Sequence, residues 1–389
     1  MKRPPSTATR FASWSGRLPT RRRGANPVAV HDLYRDYCLS WFGNEGEAGD
    51  VVLASRVRLA RNFARLPFPN RADHQQLAEA QNRAASVFDR IEETAGQAFE
   101  AVQMDALTQM EREVLAEKQL VSQSLIQNPA YRSAYISDDR KCSVLVNEDD
   151  HLRIHTMTSG LDLHTPLDAA FRLDDAVEEK LDVAFDEKMG YLTSCPTNLG
   201  TGLRATVLLH LPGLVYTRNM NNIINISQQL GLSVRGLYGE GSETVGNIFA
   251  VSNQLTLGFT EQAIIENLMT AATQIIDNER RARKALAMTS KERLEDAVWR
   301  SYGVLKYARS LGESEVLELI SKVRLGLDLG LLHEAPTERF SELLIASRPS
   351  YLKNLAGNDN LSQTEIDRKR AAVVRQILSG GAPIQENSP

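Results

Sequence analysis

The sequence has little cysteine and no long apolar run among its 389 residues. Its three cysteines, Cys38, Cys142 and Cys195, are a sparse and odd set, which argues against a disulfide framework and favours a reducing compartment. No Cys-x-x-Cys pair indicates a metal site, and no apolar stretch is long enough to cross a bilayer. We therefore expect a cytoplasmic protein without a resident metal or a membrane contact.

Neither sign of charge is in large excess. The net charge is −4 and the isoelectric point is about 6.1, so we expect no direct contact with nucleic acid. A hydrophobic content of 42% is ordinary for a protein with a real core. Residues 1–36 differ in composition from the rest of the chain, because they are rich in arginine, proline, serine and threonine. This composition predicts a disordered basic extension, with a transit peptide as the alternative.

A glycine-bearing loop between two strands is the central feature of the sequence. It runs through Cys195-Pro-Thr-Asn-Leu-Gly-Thr-Gly-Leu-Arg204, and an apolar strand follows it. Gly200 and Gly202 favour a tight turn with exposed backbone N–H groups. Arg204 lies where the loop re-enters the strand, which suggests anion binding. No Gly-Lys-[Ser/Thr] follows, so the loop is not a P-loop.

Further arginines fall on predicted strands. Residues 51–59 alternate as a strand that places Arg56 and Arg58 on one face, a rigid cationic fork suited to phosphate oxygens. A hairpin over 142–156 carries three carboxylates at its tip, residues 148–150, with Arg153 just behind. An exposed strand face and a solvated acidic tip are the structural alternatives for these two features.

The remaining elements are predicted from apolar periodicity. We expect helices over 73–125, over 174–189 with Gly190 as the residue after its end, around 217–230, over 261–286 and throughout 290–389. We expect a strand over 233–238, a glycine-rich loop over 239–246 that carries Glu240, and a turn at Ser252-Asn253. Converging arginines suit a nucleoside triphosphate, and carboxylates opposite them suit a cationic acceptor.

Four segments together resemble the phosphagen kinase family. They are Ser55-Arg-Val-Arg-Leu-Ala-Arg-Asn62, Val146-Asn-Glu-Asp-Asp-His-Leu-Arg153, the Cys195–Arg204 loop and Arg235-Gly-Leu-Tyr-Gly-Glu240. The last form and the helical C-terminal region are most similar to the bacterial McsB-type protein arginine kinases. The resemblance implies an α+β fold, in which a mostly antiparallel sheet flanked by helices (the phosphagen kinase/glutamine synthetase-like catalytic domain) precedes an all-helical C-terminal domain.

The resemblance also implies domain limits: a basic extension over 1–36, a catalytic domain over 37–288, a helical domain over 289–380 for dimerisation and phosphoarginine binding, and a tail over 381–389. Kinases of small guanidino compounds carry a helical domain before the Ser-Arg-Val-Arg strand. Since that strand begins near residue 51 here, we expect no counterpart of this domain and an acceptor side that is open to protein substrates.

The family's functional residues carry over by position. Catalysis is implied for Asp149, Glu240, Glu148 and Cys195, with Asp149 where the family has Glu. ATP binding is implied for Ala54, Ser55, Arg56, Val57, Arg58, Gln119, Arg153, Arg204, Ala205, Thr206, Val207, Leu208, Arg235, Gly236, Leu237, Tyr238, Gly239 and Glu240. Gln119 stands where relatives often have His. In Ile366-Asp-Arg-Lys-Arg-Ala371, allosteric phosphoarginine binding is implied for Asp367, Arg370 and Ala371, with Ile366 in place of an arginine.

The function implied is transfer of the γ-phosphoryl group of ATP, with Mg²⁺, to arginine side chains of proteins, in stress response and marking for proteolysis. The implied partners are proteins with exposed arginines, a zinc-binding activator, a Clp-type protease and a second copy of the chain. The alternatives are a kinase for a small guanidino compound and a catalytically weak phosphoarginine-binding adaptor.

Overall fold

An eight-stranded antiparallel sheet forms the centre of the molecule. The computed structural model describes Leu39 and residues 41–42, 46–89, 91–92, 96–237, 244–334 and 339–381. The strands are β1 (Val52–Arg61), β2 (Phe99–Gln103), β3 (Ser133–Ser137), β4 (Cys142–Val146), β5 (Leu152–Thr158), β8 (Leu203–His210), β9 (Leu232–Gly236) and β10 (Ile248–Asn253), with β6 (Phe185–Asp186) and β7 (Gly190–Tyr191) as a separate two-stranded ribbon. The order in space is β2-β3-β4-β5-β1-β8-β10-β9, so β1 lies in the middle of the sheet.

Helices flank the sheet and fill the C-terminal part of the described chain. They are α1 (His74–Phe88), α2 (Gln109–Glu117), α3 (Gln123–Gln127), α4 (His164–Glu178), α5 (Pro212–Tyr216), α6 (Met220–Gln229), α7 (Glu261–Thr289), α8 (Lys291–Tyr307), α9 (Glu313–Asp328), α10 (Phe340–Ala346), α11 (Pro349–Ala356) and α12 (Gln363–Leu378). The predicted α+β architecture with a helical C-terminal region is confirmed. No helix among the described residues is long and apolar enough to cross a membrane.

The two faces of the sheet have different neighbours, because alternate residues of a strand point to opposite sides. Val57 and Leu59 of β1 belong to a buried apolar cluster that also contains residues of α1, α4 and α7. Ala54 of β1 belongs to a second cluster, which extends through α2 into the C-terminal helices α8 to α12. Arg56 and Arg58 follow Ala54 on this second face, beyond the apolar part. One half of the face is therefore covered by helices, and the other half carries arginines.

The C-terminal helices are also joined by polar contacts to the part of the chain that contains the sheet. Glu117, at the end of α2, accepts hydrogen bonds from the backbone N–H groups of Ser350 and Tyr351 at 3.0 and 2.9 Å, and so caps the start of α11. Arg283 of α7 contacts Asp328 of α9 at 3.0 Å and donates to the carbonyl oxygen of His210 at 3.0 Å. The C-terminal helices and the part of the chain that contains the sheet therefore share both apolar and ionic contacts.

Three secondary-structure predictions are wrong. The helical pattern over 73–125 is interrupted by β2, which pairs along its length with β3. The helix expected over 174–189 is α4, which ends at Glu178; the later apolar residues lie in the ribbon of β6 and β7. Ser252-Asn253 is not a turn, because both residues belong to β10, which pairs with β8 and β9 on either side.

A buried ion pair fixes the end of β1 to α4. Arg61, which is 1% exposed, donates to both carboxylate oxygens of Asp174 at 2.8 and 2.6 Å. It also donates to the carbonyl oxygen of Thr201 at 3.1 Å, and its guanidinium lies over the ring of Tyr191 at 3.3 Å from the centroid. Because Asp174 balances a cation that water cannot reach, removing it leaves that charge uncompensated.

We expect Asp174→Ala to lower the free energy of unfolding by about 3–5 kcal/mol, since the Arg61 charge then stays buried without its partner. Urea denaturation followed by circular dichroism measures the change. Glu79→Ala is the matched control, because Glu79 pairs with Arg83 on the surface at 49% side-chain exposure; that change should cost less than about 1 kcal/mol. A loss in Asp174→Ala no larger than in the control would contradict this account of the pair.

Candidate active site

A cavity of about 730 Å³ opens on the arginine-bearing half of the sheet. Five arginines, one carboxylate and one cysteine contribute to its wall. These side chains are Arg56, Arg58, Arg153, Arg204, Arg235, Asp149 and Cys195, together with polar residues that include Asn198, Thr206, Ser233, Ser252 and Gln254. Residues as far apart in the sequence as Arg56 and Leu255 thus line one space.

The register of the sheet brings the arginines together. Arg58 on β1 pairs directly with Arg204 on β8, and Arg56 lies two residues away on the same face. Arg153 lies on β5, the other neighbour of β1, and Arg235 lies on β9 at the far edge. Strands inside a sheet move little, so the backbone positions from which Arg56, Arg58 and Arg204 project are fixed before any ligand arrives.

The arginines repel one another, and burial together with like charge lowers the pKa of two of them. The pKa of Arg56 falls to about 10, first because of burial and then because Arg204 and Arg153 carry the same charge. The pKa of Arg58 is also lowered well below its usual value, by burial and then by Arg56, Arg153 and Arg204. The buried Nε atoms of Arg56 and Arg58 have no hydrogen-bond partner among the described residues. Such a cluster favours the binding of an anion that carries several charges.

A neutral histidine lies beside the arginines. His155 on β5 pairs across the sheet with Arg58 and is 3% exposed. Its pKa is lowered well below the usual value by burial and then by the charges of Arg58, Arg56 and Arg153. Since an imidazolium here would add a further positive charge, His155 is uncharged at neutral pH.

The acidic tip between β4 and β5 is not a solvated turn as a whole. Glu148 is 3% exposed, forms an ion pair with Arg153 and accepts a hydrogen bond from the hydroxyl of Ser122. Asp149 is the exposed member, with half of its side chain open to solvent; its Oδ2 lies 3.2 Å from Nη2 of Arg153. Asp149 is therefore the carboxylate of this tip that a molecule in the cavity can reach.

The third carboxylate has a structural role. Asp150 is fully buried, and its Oδ1 accepts hydrogen bonds at 2.7 Å from Nδ2 of Asn62 and from the backbone N–H of Ser194. Asn62 follows β1, and Ser194 precedes Cys195. Asp150 thus ties the cysteine loop to the end of the central strand. Sequence reasoning did not assign this role to Asn62 or Ser194, although Asn62 is the last residue of the first family-like segment.

The cysteine loop is packed more tightly than the sequence suggested. Cys195 is half-buried, with its Sγ 3.0 Å from the hydroxyl oxygen of Thr197. Gly202 has a φ of +66°, and a Cβ there would lie 2.6 Å from Nη1 of Arg61. The expectation of free backbone N–H groups is wrong, because Gly202 and Gly200 donate within the structure, at 3.0 Å to Asn198 and at 3.4 Å to Tyr191. The glycines serve close packing.

The sequence-predicted nucleotide residues divide by strand alternation. Arg56, Arg58, Arg153, Arg204, Thr206, Arg235 and Gly236 line the cavity, whereas Val57, Ala205 and Val207 pack in the apolar cluster on the opposite face and Ala54 and Leu208 in the cluster beside the C-terminal helices. Ser55 donates to the carbonyl oxygen of Gly160 at 2.7 Å, and Leu237 packs against the apolar cluster beside the C-terminal helices. Gln119 accepts a hydrogen bond from Arg56 at 3.4 Å. Tyr238, Gly239 and Glu240 lie outside the described residues.

Sequence reasoning missed the far wall of the cavity. Ser233, Ser252 and Gln254 line it, and Thr206 and Ser252 share a hydrogen bond of 2.8 Å between their hydroxyl groups. The alternation of β10 carried the signal, but it was hidden by the interpretation of Ser252-Asn253 as a turn. Among the described residues, no group of three or more His, Cys, Asp or Glu side chains is arranged to hold a metal ion.

The residues of the C-terminal motif lie on α12, away from the cavity. Arg370 is fully buried and donates to the carbonyl oxygens of Ser347 and Leu311 at 2.8 and 2.7 Å, and to Asp367. Its Nη2 has no hydrogen-bond partner among the described residues. Ala371 and Ile366 are buried in the apolar cluster of the C-terminal helices. Arg370 thus joins three helical segments, and its role in phosphoarginine binding stays a prediction.

We expect Arg58→Met to stabilise the unliganded protein by about 1 kcal/mol, because it removes a cation that burial and three like charges disfavour. The same change should abolish most of the thermal stabilisation that inorganic tripolyphosphate gives to the wild type. Differential scanning calorimetry with and without tripolyphosphate measures both effects. The surface change Arg300→Met is the control, because Arg300 pairs with Asp296 on α8 at high exposure. An unstable Arg58→Met protein that still responds fully to tripolyphosphate would contradict the assignment.

Two family models match the chain. Residues 79–282 match the ATP:guanido phosphotransferase C-terminal catalytic domain, and residues 291–388 match the C-terminal domain of the protein-arginine kinase McsB. The chain is 44% identical over 341 residues to a protein-arginine kinase of Desulforamulus reducens, which covers 87% of this chain and 95% of the relative. It is 44% identical over 351 residues to the protein-arginine kinase of Bacillus subtilis, with 90% and 96% covered.

Solved structures support the fold. A lombricine kinase superposes with a TM-score of 0.52 at 21% identity, over 63% of this chain and 70% of the other. The duplicated taurocyamine kinase of Schistosoma mansoni, with bound components of a transition-state analogue, gives a TM-score of 0.54 at 24% identity, over 68% of this chain and 39% of the other. At these identities the likeness speaks for the architecture alone.

Proposed function

The chain belongs to the ATP:guanido phosphotransferases, in their protein-arginine kinase branch, and on this premise we propose that it phosphorylates arginine side chains of proteins with ATP. The observation that carries the proposal is the convergence of five arginines on one cavity that also holds Asp149 and Cys195. A cavity with this charge suits a triphosphate, and a carboxylate at its edge suits a cationic acceptor.

The donor side of the reaction rests on the arginines. ATP would bring Mg²⁺ as its counter-ion, held chiefly by phosphate oxygens and water, and Glu148, beside Asp149, is the carboxylate that would assist around that ion. Arg56, Arg58 and Arg204 would contact the phosphate oxygens from the sheet. Their fixed positions orient the γ-phosphoryl group and stabilise the charge that develops on it during transfer.

The acceptor side must overcome the weak nucleophilicity of a guanidinium, whose pKa exceeds 12. We assign Asp149 to hold the acceptor and to take its proton as a guanidinium nitrogen attacks the γ-phosphorus. A P–N bond forms, the P–O bond to the β-phosphate breaks, and ADP leaves. Glu240 is the second carboxylate by position in the family motif, outside the described residues. Cys195 lies at the same edge of the cavity.

We propose a cellular role from the family resemblance alone. Phosphorylated arginines would mark proteins for a Clp-type protease or release heat-shock genes from repression, with a zinc-binding activator and a homodimer in the cytoplasm. The family model that matches residues 291–388 supports the presence of a protein-arginine kinase C-terminal domain. For Asp367, Arg370 and Ala371 the proposed role is allosteric binding of phosphoarginine, and the support is the buried Nη2 of Arg370 that lacks a partner among the described residues.

The function is tested with purified protein, ATP, Mg²⁺ and casein. We expect acid-labile phosphate on casein arginines, mapped by mass spectrometry, and no reaction with free arginine. Asp149→Asn should lower kcat about 100- to 10,000-fold, the usual range for loss of a general base, with little change in the KM for ATP. Glu295→Gln is the control, since Glu295 is an exposed carboxylate on α8 that lines neither the arginine cavity nor its surroundings.

The outcomes separate the alternatives. Turnover of free arginine but not of casein would instead identify a kinase of small guanidino compounds. ATP binding without turnover would favour a phosphoarginine-binding adaptor, and recovery of activity in Asp149→Glu would then locate the defect in the shorter side chain. Full activity in Asp149→Asn would contradict the role of this carboxylate as the base.

A further inference from the structure

An apolar groove lies next to the arginine cavity, on the other side of the cysteine loop. It encloses about 260 Å³ and is lined by the ribbon of β6 and β7 on one side and by residues 256–259 on the other. Four large apolar side chains in its wall remain unusually exposed for their type. These are Phe185 at 42%, Met189 at 43%, Leu257 at 52% and Phe259 at 50%.

One wall of the groove is bonded to the loop that forms the cavity. Thr256 donates from its hydroxyl to the carbonyl oxygens of Leu199 at 2.7 Å and Thr197 at 3.0 Å. Leu257 packs directly on Gly200, where an added Cβ would lie 2.8 Å from the Leu257 Cα. Leu255, two residues earlier, lines the arginine cavity. Two residues of extended chain span about 7 Å, so groove and cavity adjoin across one short segment.

The opposite wall is fixed to the same site. The backbone N–H of Ala184, at the base of the ribbon, donates to the carbonyl oxygen of Asn62 at 2.7 Å, and the backbone N–H of Tyr191 donates to that of Gly200 at 2.8 Å. Asn62 is the residue whose amide holds Asp150 and, through it, Ser194 beside Cys195. Both walls are therefore preformed and positioned relative to the acceptor end of the cavity.

The groove has an acidic rim that complements a basic ligand. Glu187 and Glu261 line it, against a single cation, Lys188. Its volume is below the roughly 300–1,000 Å³ of pockets for drug-sized ligands, and it suits one or two side chains. These features fit an extended polypeptide better than a nucleotide or a second cofactor.

We propose that this groove binds the polypeptide segment of a protein substrate that flanks the acceptor arginine, and that it selects an apolar residue about two positions from that arginine. The inference rests on the proposed function and names its substrate class. An arginine in the cavity beside Asp149 places neighbouring side chains of an extended segment over Leu255 and Leu257. An apolar neighbour then covers surface that water otherwise contacts.

The test compares two synthetic peptides that differ only beside a single arginine. One carries leucine two residues before and after the arginine, and the other carries serine at both places. We expect kcat/KM for the leucine peptide to be about ten-fold higher in the wild type, which corresponds to burial of one apolar side chain, with the difference in KM.

The matched variants are the double change Leu257→Ser with Phe259→Ser and the control Met288→Ser. Neither Leu257 nor Phe259 lines the arginine cavity, and Met288, at 85% exposure near the end of α7, is an apolar surface residue remote from the groove in the sequence. We expect the double variant to lose the preference for leucine while its kcat/KM for the serine peptide and its KM for ATP stay unchanged. Met288→Ser should behave as the wild type.

Each other outcome overturns the inference. Equal kcat/KM for the two peptides in the wild type would show that the groove does not read the substrate. A double variant equally impaired toward both peptides would indicate a structural effect, and one whose oligomeric state changes in light scattering would indicate that the groove contacts a second copy. If the wild type phosphorylates neither peptide nor casein, the proposed function itself fails, which is a distinct result.

Discussion

The antiparallel register around β1 is the constraint on which the site depends. It holds Arg58 opposite Arg204 and keeps Arg56 and Arg153 within the same field of like charge. Isolated strands would separate these cations, but β1 is central and its other face is buried in an apolar core. The folded protein thus carries an unfavourable electrostatic term in the unliganded state. A polyphosphate bound to these arginines would relieve it, and ligand binding would then be coupled to stability.

The features that could be predicted from the sequence are those that follow from a local periodic pattern of apolar and polar residues. The arginines of β1 and the hairpin of β4 and β5 follow from period-two patterns, and the pattern of α7 is long enough to be unambiguous. The prediction of a helix over 174–189 was wrong because the spacing of apolar residues four apart continues by chance beyond Glu178, where α4 ends, into the ribbon of β6 and β7. Contacts such as Arg61 with Asp174 or Asp150 with Ser194 join distant residues, and no local periodicity encodes them. The segment motifs supplied the site that periodicity could not.

Three consecutive carboxylates show how environment, more than residue type, decides a role. Glu148 forms an ion pair with Arg153 and a hydrogen bond with Ser122, and Asp150 accepts two hydrogen bonds inside the fold. Of the three, Asp149 lines the cavity. The turn directs one side chain outward between two buried ones. An acidic run that would ordinarily be solvated instead combines a charge partner, a carboxylate that faces the cavity and a structural link in one turn.

Leu53 and Leu115 belong to the same apolar cluster as Val316 and Tyr351, and this shared cluster limits how the chain can evolve. The boundary between the two matched family segments falls near residue 290, yet it cuts through a single core. Substitutions on either side of that boundary must be accommodated by partners on the other, as in one packed interior. The two segments are therefore constrained to change together, and exchanging either one with a distant relative would leave mismatched surfaces at the seam.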